Sequence, residues 1–177
     1  MTSITVLVGN PKPASRTLRV CRAVAERIAT AVPRPVVNEI DLADHAPRLF
    51  AWPDEGMAEL SRLVAESDVV VVGSPTYKGT YTGMLKAFLD RYPKLGLDGV
   101  VAVPVMTGAD LSHYLGPDVH LRSLLVELGA CAPSPALYFT VPRMAELELV
   151  LDDWAARSLP HLAAATAVRR AGVLGRD

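Results

Sequence analysis

Residues 68–90 read DVVVVGSPTYKGTYTGMLKAFLD, and this stretch decides the fold class. Val69, Val70, Val71 and Val72 form a β-branched run, too short to span a membrane and suited to a strand buried on both faces. Met84, Leu85, Phe88 and Leu89 follow at helical spacing, with Lys86, Asp90 and Arg91 as polar neighbours. Between them lies Gly73-Ser74-Pro75-Thr76-Tyr77-Lys78-Gly79-Thr80, a loop of small, hydroxylated and ring-bearing residues. A buried strand that leads through such a loop into a helix is the repeating unit of parallel sheets. In open sheets of this kind ligands sit beyond the carboxyl ends of the strands, which is where this loop is expected.

The flanking chain repeats the unit. Residues 4–8 (ITVLV) read as a first strand, and a helix begins near Thr17, with Leu18, Val20, Cys21, Val24, Ala25 and Ile28 on its apolar face. Pro33 and Pro35 end that helix, and residues 36–42 make a second strand. Residues 43–56 are irregular, and 57–66 are helical. Residues 99–106 (GVVAVPVM) form a fourth strand, 121–128 a helix closed by Gly129 in a left-handed cap, and 135–141 the fifth strand. A closing helix spans 143–170, broken or bent at Pro160, and 171–177 reads as a frayed tail. The alternation predicts a flavodoxin-like, doubly wound α/β fold: five parallel strands, helices on both faces, and residues 1–177 as one domain.

Composition narrows the function. The 177 residues are 50% hydrophobic with a formal net charge of −1, so no basic excess points to nucleic acid or an anionic membrane. No apolar run approaches the roughly 18 residues of a spanning helix. The N-terminus enters a strand without a signal-peptide pattern, and Cys21 and Cys131 are isolated, so a cytoplasmic protein with reduced thiols is expected. His45, His113, His120 and His161 lack metal-ligand spacing, so no metal site is expected. There is no nucleophile elbow. With few groups for acid–base work, the chemistry is expected to come from a bound cofactor that the protein orients.

Three loops follow strands one, three and four at one sheet edge, where they can converge on a ligand. The first offers Asn10, Ser15, Arg16 and Thr17 at a helix start: a candidate anion site, better matched to a terminal monophosphate than to a pyrophosphate. Ser15 or Thr17 can equally serve as a helix cap. The second offers the Tyr77 ring, backbone donors at Thr76, Lys78 and Gly79, and close main-chain approach at Gly79. The third, Thr107-Gly108-Ala109, adds a hydroxyl and further donors, and His113 just beyond it is a further candidate contact.

Taken together, GNPKPASRT, SPTYKGTYTGMLKAFLD and TGADLSHYL resemble the NADPH-dependent FMN reductase family, and within it the flavin reductases that serve alkanesulfonate-type monooxygenases. The resemblance spans about residues 4–131. It implies FMN in the three loops and flavin reduction by NADPH or NADH. By motif, Asn10, Ser15, Arg16 and Thr17 would hold the phosphate, and Pro75, Thr76, Tyr77, Lys78 and Gly79 would border the isoalloxazine ring. Thr107, Gly108 and Ala109 would complete the cradle. For hydride transfer to such a flavin, Lys78 or neighbouring backbone N–H groups are the candidate stabilisers of charge on the reduced ring, and no catalytic acid or base is required of the protein. The family also implies a homodimer or homotetramer, with Tyr81, Met84, Leu85 and Phe88 as candidate interface residues. One departure bears on flavin retention: Val119 stands where the resembling subgroup often has an aromatic residue.

The expected activity is therefore NAD(P)H-dependent reduction of FMN, supplied to a partner monooxygenase. An alternative is an FMN-retaining reductase of quinones, azo compounds or other small oxidants. A flavodoxin-type electron carrier is a third reading, opposed by the near-neutral charge, and a binding module on the same fold a fourth. For a 2′-phosphate on the donor, Lys12, Arg16 and Arg48 are the candidate cations.

Overall fold

The computed structural model describes residues 1–172, and its strands stand in the order β2-β1-β3-β4-β5. They are β1 (Thr2–Val8), β2 (Pro35–Asp41), β3 (Val69–Pro75), β4 (Val101–Gly108) and β5 (Leu137–Thr140), and every pairing is parallel. The expected flavodoxin-like α/β fold is thus present. The three inner strands are the continuous apolar runs, because helices cover them on both faces. One face packs α1 (Arg16–Ala31) and α5 (Leu147–Arg170) over Val6, Val71, Val103 and Phe139, with Cys21, Val24 and Trp154 among the filling side chains. The other packs α2 (Glu55–Glu66), α3 (Gly83–Leu89) and α4 (Arg122–Glu127) over Leu7, Val70, Val72 and Ala102.

Several boundaries differ from the sequence reading. β3 continues past Val72 through Gly73, Ser74 and Pro75, because those residues pair with Val105, Met106 and Thr107. β4 likewise takes in Thr107 and Gly108, which pair with Phe139 and Thr140. Small and β-branched residues that look like loop in isolation are held in the ladder by their partners, Gly73 and Thr107 on both sides and Ser74, Pro75 and Gly108 on one. The irregular stretch after β2 contains a 3-10 helix, Leu42–Arg48, and α2 begins two residues before Met57. Asp54 caps α2 by accepting from the Met57 N–H at 2.9 Å and is itself gripped by Arg48.

The expected break at Pro160 is absent: α5 runs through it, and the irregular turn lies earlier, where a 3-10 helix at Val141–Glu146 precedes α5. Leu151, Trp154, Ala155 and Leu162 bury both flanks of the proline in one core, and that packing carries the helix across the lost hydrogen bond. The helix after β4 also differs. A π-helical turn, Pro117–Leu121, leads into α4, and Gly129 at φ 91° supplies the left-handed cap. Of the expected tail, residues 173–177 lie outside the described residues.

Candidate functional site

The carboxyl ends of β1, β3 and β4 meet at one edge, and hydroxyl groups stitch them together. Asn10 Nδ2 donates to Thr17 Oγ1 at 3.1 Å, and Thr17 Oγ1 lies 2.8 Å from Thr107 Oγ1. All three residues are buried, so the first loop is tied to the end of β4 across β3. Asn10 Oδ1 also accepts from the Lys12 N–H at 3.0 Å, closing an Asx turn. Ser15 is the N-cap of α1, its hydroxyl accepting from the Leu18 N–H. The N–H groups of Arg16 and Thr17 belong to the first helical turn, which has no intrahelical acceptor to offer them. The exposed side chains of Lys12 and Arg16 add positive charge beside that turn.

The second loop is a tight hairpin. The Tyr77 N–H donates to the Thr80 carbonyl at 2.9 Å, and Lys78 and Gly79 at its tip take φ of 54° and 84°. Two successive left-handed residues are the signature of a type I′ turn, whose tip N–H groups take no part in the hairpin's own hydrogen bonds. The Thr76 N–H, expected as a free donor, is instead bonded to the Thr107 carbonyl at 2.7 Å. What Thr76 leaves open is its side chain: Oγ1 is buried with no hydrogen-bond partner. Tyr77 keeps nearly half of its surface exposed.

Thr82 anchors this loop from behind, a role the sequence reading missed. Its hydroxyl donates to the Gly9 carbonyl and accepts from the Leu85 N–H, while its own N–H donates to Ser74 Oγ. The available signal was a threonine three residues before Leu85, the spacing of an N-cap.

These ends enclose a cleft of about 670 Å³, within the usual range for small-ligand sites. Asn10, Ser15, Arg16, Thr17, Pro75, Thr76, Tyr77, Thr107, Gly108 and Ala109 all line it. Lys78 and Gly79 do not. Gly79 borders a shallower hollow of about 200 Å³ with His113, Val119 and His120. Val141 and Pro142 form a wall of the main cleft that sequence reasoning overlooked, although they follow the carboxyl end of β5 at the same edge. A Cβ on Gly108 would fall 1.8 Å from the Tyr138 hydroxyl, so a side chain there requires the end of the Tyr138 side chain to move aside.

Two candidate roles are corrected. Leu85 and Phe88 are wholly buried in the core beneath α3, so neither can form a subunit interface; Tyr81 and Met84 are only partly buried. Arg48, offered as a phosphate cation, makes a two-pronged pair with Asp54 and lies outside the cleft lining. Among the described residues no helix is long and apolar enough to cross a membrane, and no three His, Cys, Asp or Glu side chains cluster as metal ligands.

With this geometry in view, the chain can be set beside known proteins. The sequence model of the NADPH-dependent FMN reductase family matches residues 2–143, and the chain belongs to that family. An FMN reductase (NADPH) of Pseudomonas putida KT2440 is 36% identical over 69 residues, a match that covers 39% of this chain and 35% of that protein. The NADH-dependent FMN reductase SfnE of Pseudomonas putida is 29% identical over 162 residues, covering 88% of this chain and 86% of its own. Among solved structures, the apo form of the NADH:FMN oxidoreductase EmoB superposes with a TM-score of 0.72 at 25% identity, over 91% of this chain and 96% of that one.

Proposed function

We propose that this chain is an NAD(P)H-dependent FMN reductase that takes hydride from the nicotinamide onto flavin held in the 670 Å³ cleft. The observation that carries this reading is the convergence of three strand ends on that cleft, one offering anion-binding groups and another the half-exposed Tyr77 ring beside the unpartnered Thr76 hydroxyl. The residues present suit FMN. The first turn of α1, with Arg16 and Lys12 beside it, matches a terminal phosphate in charge and in donor chemistry. The buried, unpartnered Thr76 hydroxyl supplies a polar contact that the protein itself leaves unmet.

On this reading Asn10, Ser15, Arg16 and Thr17 hold the phosphate end, Asn10 and Thr17 chiefly by bracing the loop. Pro75, Thr76 and Tyr77 border the ring system, whose polar edge extends past the cleft lining to the Lys78 and Gly79 N–H groups at the turn tip. Thr107, Gly108 and Ala109 close the far side. Bound FMN supplies the hydride acceptor. The protein's contribution is to position the flavin, exclude water from one face and leave the other open to the nicotinamide. Lys78 adds positive charge where the reduced ring becomes negative. Lys12 and Arg16, the cleft cations, are the candidates to read a 2′-phosphate on the donor.

On this reading the released product is reduced FMN for a flavin-dependent monooxygenase, and we place the enzyme in the cytoplasm. A homo-oligomer is part of the proposal, with its interface on the exposed apolar side chains Leu111, Tyr114, Leu115 and Val119. A second reading rests on Val119, which is 57% exposed within the π-helical turn and offers no aromatic ring there. It retains FMN and passes electrons to a quinone, azo compound or other small oxidant.

Steady-state assays test the proposal. NAD(P)H oxidation is expected to rise with added FMN well above the rate with free flavin alone. No rise above free flavin contradicts it. Protein that purifies yellow and stays yellow on dialysis favours the retained-flavin reading.

A further inference from the structure

Asp41 ends β2 and stands in register with Val8, the last residue of β1, beside the start of the first loop. It is 7% exposed. One carboxylate oxygen, Oδ2, accepts from the Ala14 N–H at 3.0 Å, and Oδ1 accepts from the Ala43 N–H at 3.3 Å. Among the described residues it makes no ion pair. The charged groups around it are Arg22 on α1, Glu39 on its own strand and Asp44 in the following turn. Burial pushes the carboxyl above its ordinary range, and the two backbone N–H groups pull it back.

A buried carboxylate that makes no ion pair, close to a candidate anion site, works against a phosphate on simple electrostatics. What it holds gives it a purpose. Ala14 has φ 48°, a left-handed conformation that alanine adopts reluctantly, and it lines the cleft one residue before the N-cap Ser15. The turn at Ala14 sets the direction in which the chain enters α1, and so the aim of the first-turn N–H groups. The grip of a charged acceptor on the Ala14 N–H stabilises that turn.

We infer that Asp41 is a positioning residue for the flavin phosphate: by clamping Ala14 it fixes the first turn of α1 and makes the cleft discriminate FMN from riboflavin. This inference rests on the proposed FMN site. Riboflavin carries the same ring and lacks the phosphate, so the ratio of the two affinities isolates the phosphate end.

The test is flavin-fluorescence titration of the full chain, wild type, Asp41→Asn and Asp41→Ala, with FMN and with riboflavin. Wild type is expected to prefer FMN. Asp41→Ala is expected to weaken FMN binding on the order of tenfold, the scale of one lost charged hydrogen bond, while riboflavin affinity changes little. Asp41→Asn, nearly the same shape and able to keep one acceptor, is expected to fall between the two. Its riboflavin affinity also serves as the check on folding.

Equal losses for both flavins in Asp41→Asn overturn the inference, because they describe a general structural role. Tighter FMN binding in either variant also overturns it, by showing that repulsion dominates. Wild type that binds both flavins equally removes the phosphate subsite and this inference while leaving flavin reduction intact. Wild type that binds neither flavin rejects the proposed function itself.

Discussion

Replacing Phe88 by alanine is expected to lower the folding free energy by about 3–5 kcal/mol. Its ring is wholly buried in the core formed by α2, α3, α4 and the sheet, and meets Tyr92 edge-on, with ring centres 6.1 Å apart and planes at 79°. Truncation removes the burial and the aromatic contact and leaves a cavity that the stiff valine ladder beneath cannot fill. For a chain of this size each kcal/mol moves the thermal midpoint by roughly 2–4 °C, so the expected fall is on the order of 10 °C. Denaturant unfolding checks it, with a lower midpoint and an unchanged slope. An unchanged midpoint accompanied by dissociation of an oligomer would instead return Phe88 to the subunit surface.

The second large effect concerns a glycine at the junction of two of the loops. A Cβ built on Gly9 lies 2.4 Å from Leu85 Cβ, 2.8 Å from Leu85 Cα and 2.9 Å from Leu85 N. Two of those atoms are backbone, so relief requires the first turn of α3 to move as a unit. Gly9 also donates to the Gly73 carbonyl and accepts from the Thr82 hydroxyl, so the displacement reaches the ends of both β1 and β3. Gly9→Ala is expected to destabilise by about 1–3 kcal/mol or more, as overpacking does, and to weaken FMN binding as well.

Gly83, in the first turn of α3, is the control. Nothing lies within 4 Å of an added Cβ there, and its backbone is not left-handed. Gly83→Ala is expected to stabilise by about 0.4–1 kcal/mol, through a less flexible unfolded chain and better helix propensity. Melting curves of the two variants should therefore move in opposite directions.

The contrast between these glycines shows what a linear reading reaches. Periodicity identified the five strands, their order of appearance and the apolar faces of the helices, because burial on two faces leaves runs such as Val69–Val72 that little else produces. It also selected Leu85 and Phe88 as important, but could not say whether an apolar helix face meets its own sheet or another subunit. That depends on which side of α3 the sheet occupies. Strand ends were misjudged where pairing overrides composition: Pro75 and Thr107 look like loop and are held in register with each other.

At the site, the loop positions and the family resemblance together marked ten residues that line the main cleft, since all of them lie at or just beyond strand ends on one edge. It missed Val141 and Pro142, whose only signal is their place after β5. Asp41 and Thr82 were also missed, because each acts through a hydrogen bond to backbone distant in sequence: Ala14 for one, Gly9 for the other. Such struts leave no local pattern. The cap at Ser15 was anticipated as an alternative to phosphate binding, and the two roles are compatible. The hydroxyl satisfies Leu18, while the earlier N–H groups of the same turn stay available.

The central claim is that this cleft positions FMN for direct reduction by a nicotinamide nucleotide. Anaerobic rapid mixing of the FMN-loaded protein with NADPH, and separately with NADH, tests it most directly through the flavin absorbance band. The account predicts bleaching with at least one donor, without any auxiliary reductase and at least as fast as steady-state turnover. Flavin that stays oxidised with both donors, and bleaches only when another reductase is added, would contradict it and make the chain an electron carrier.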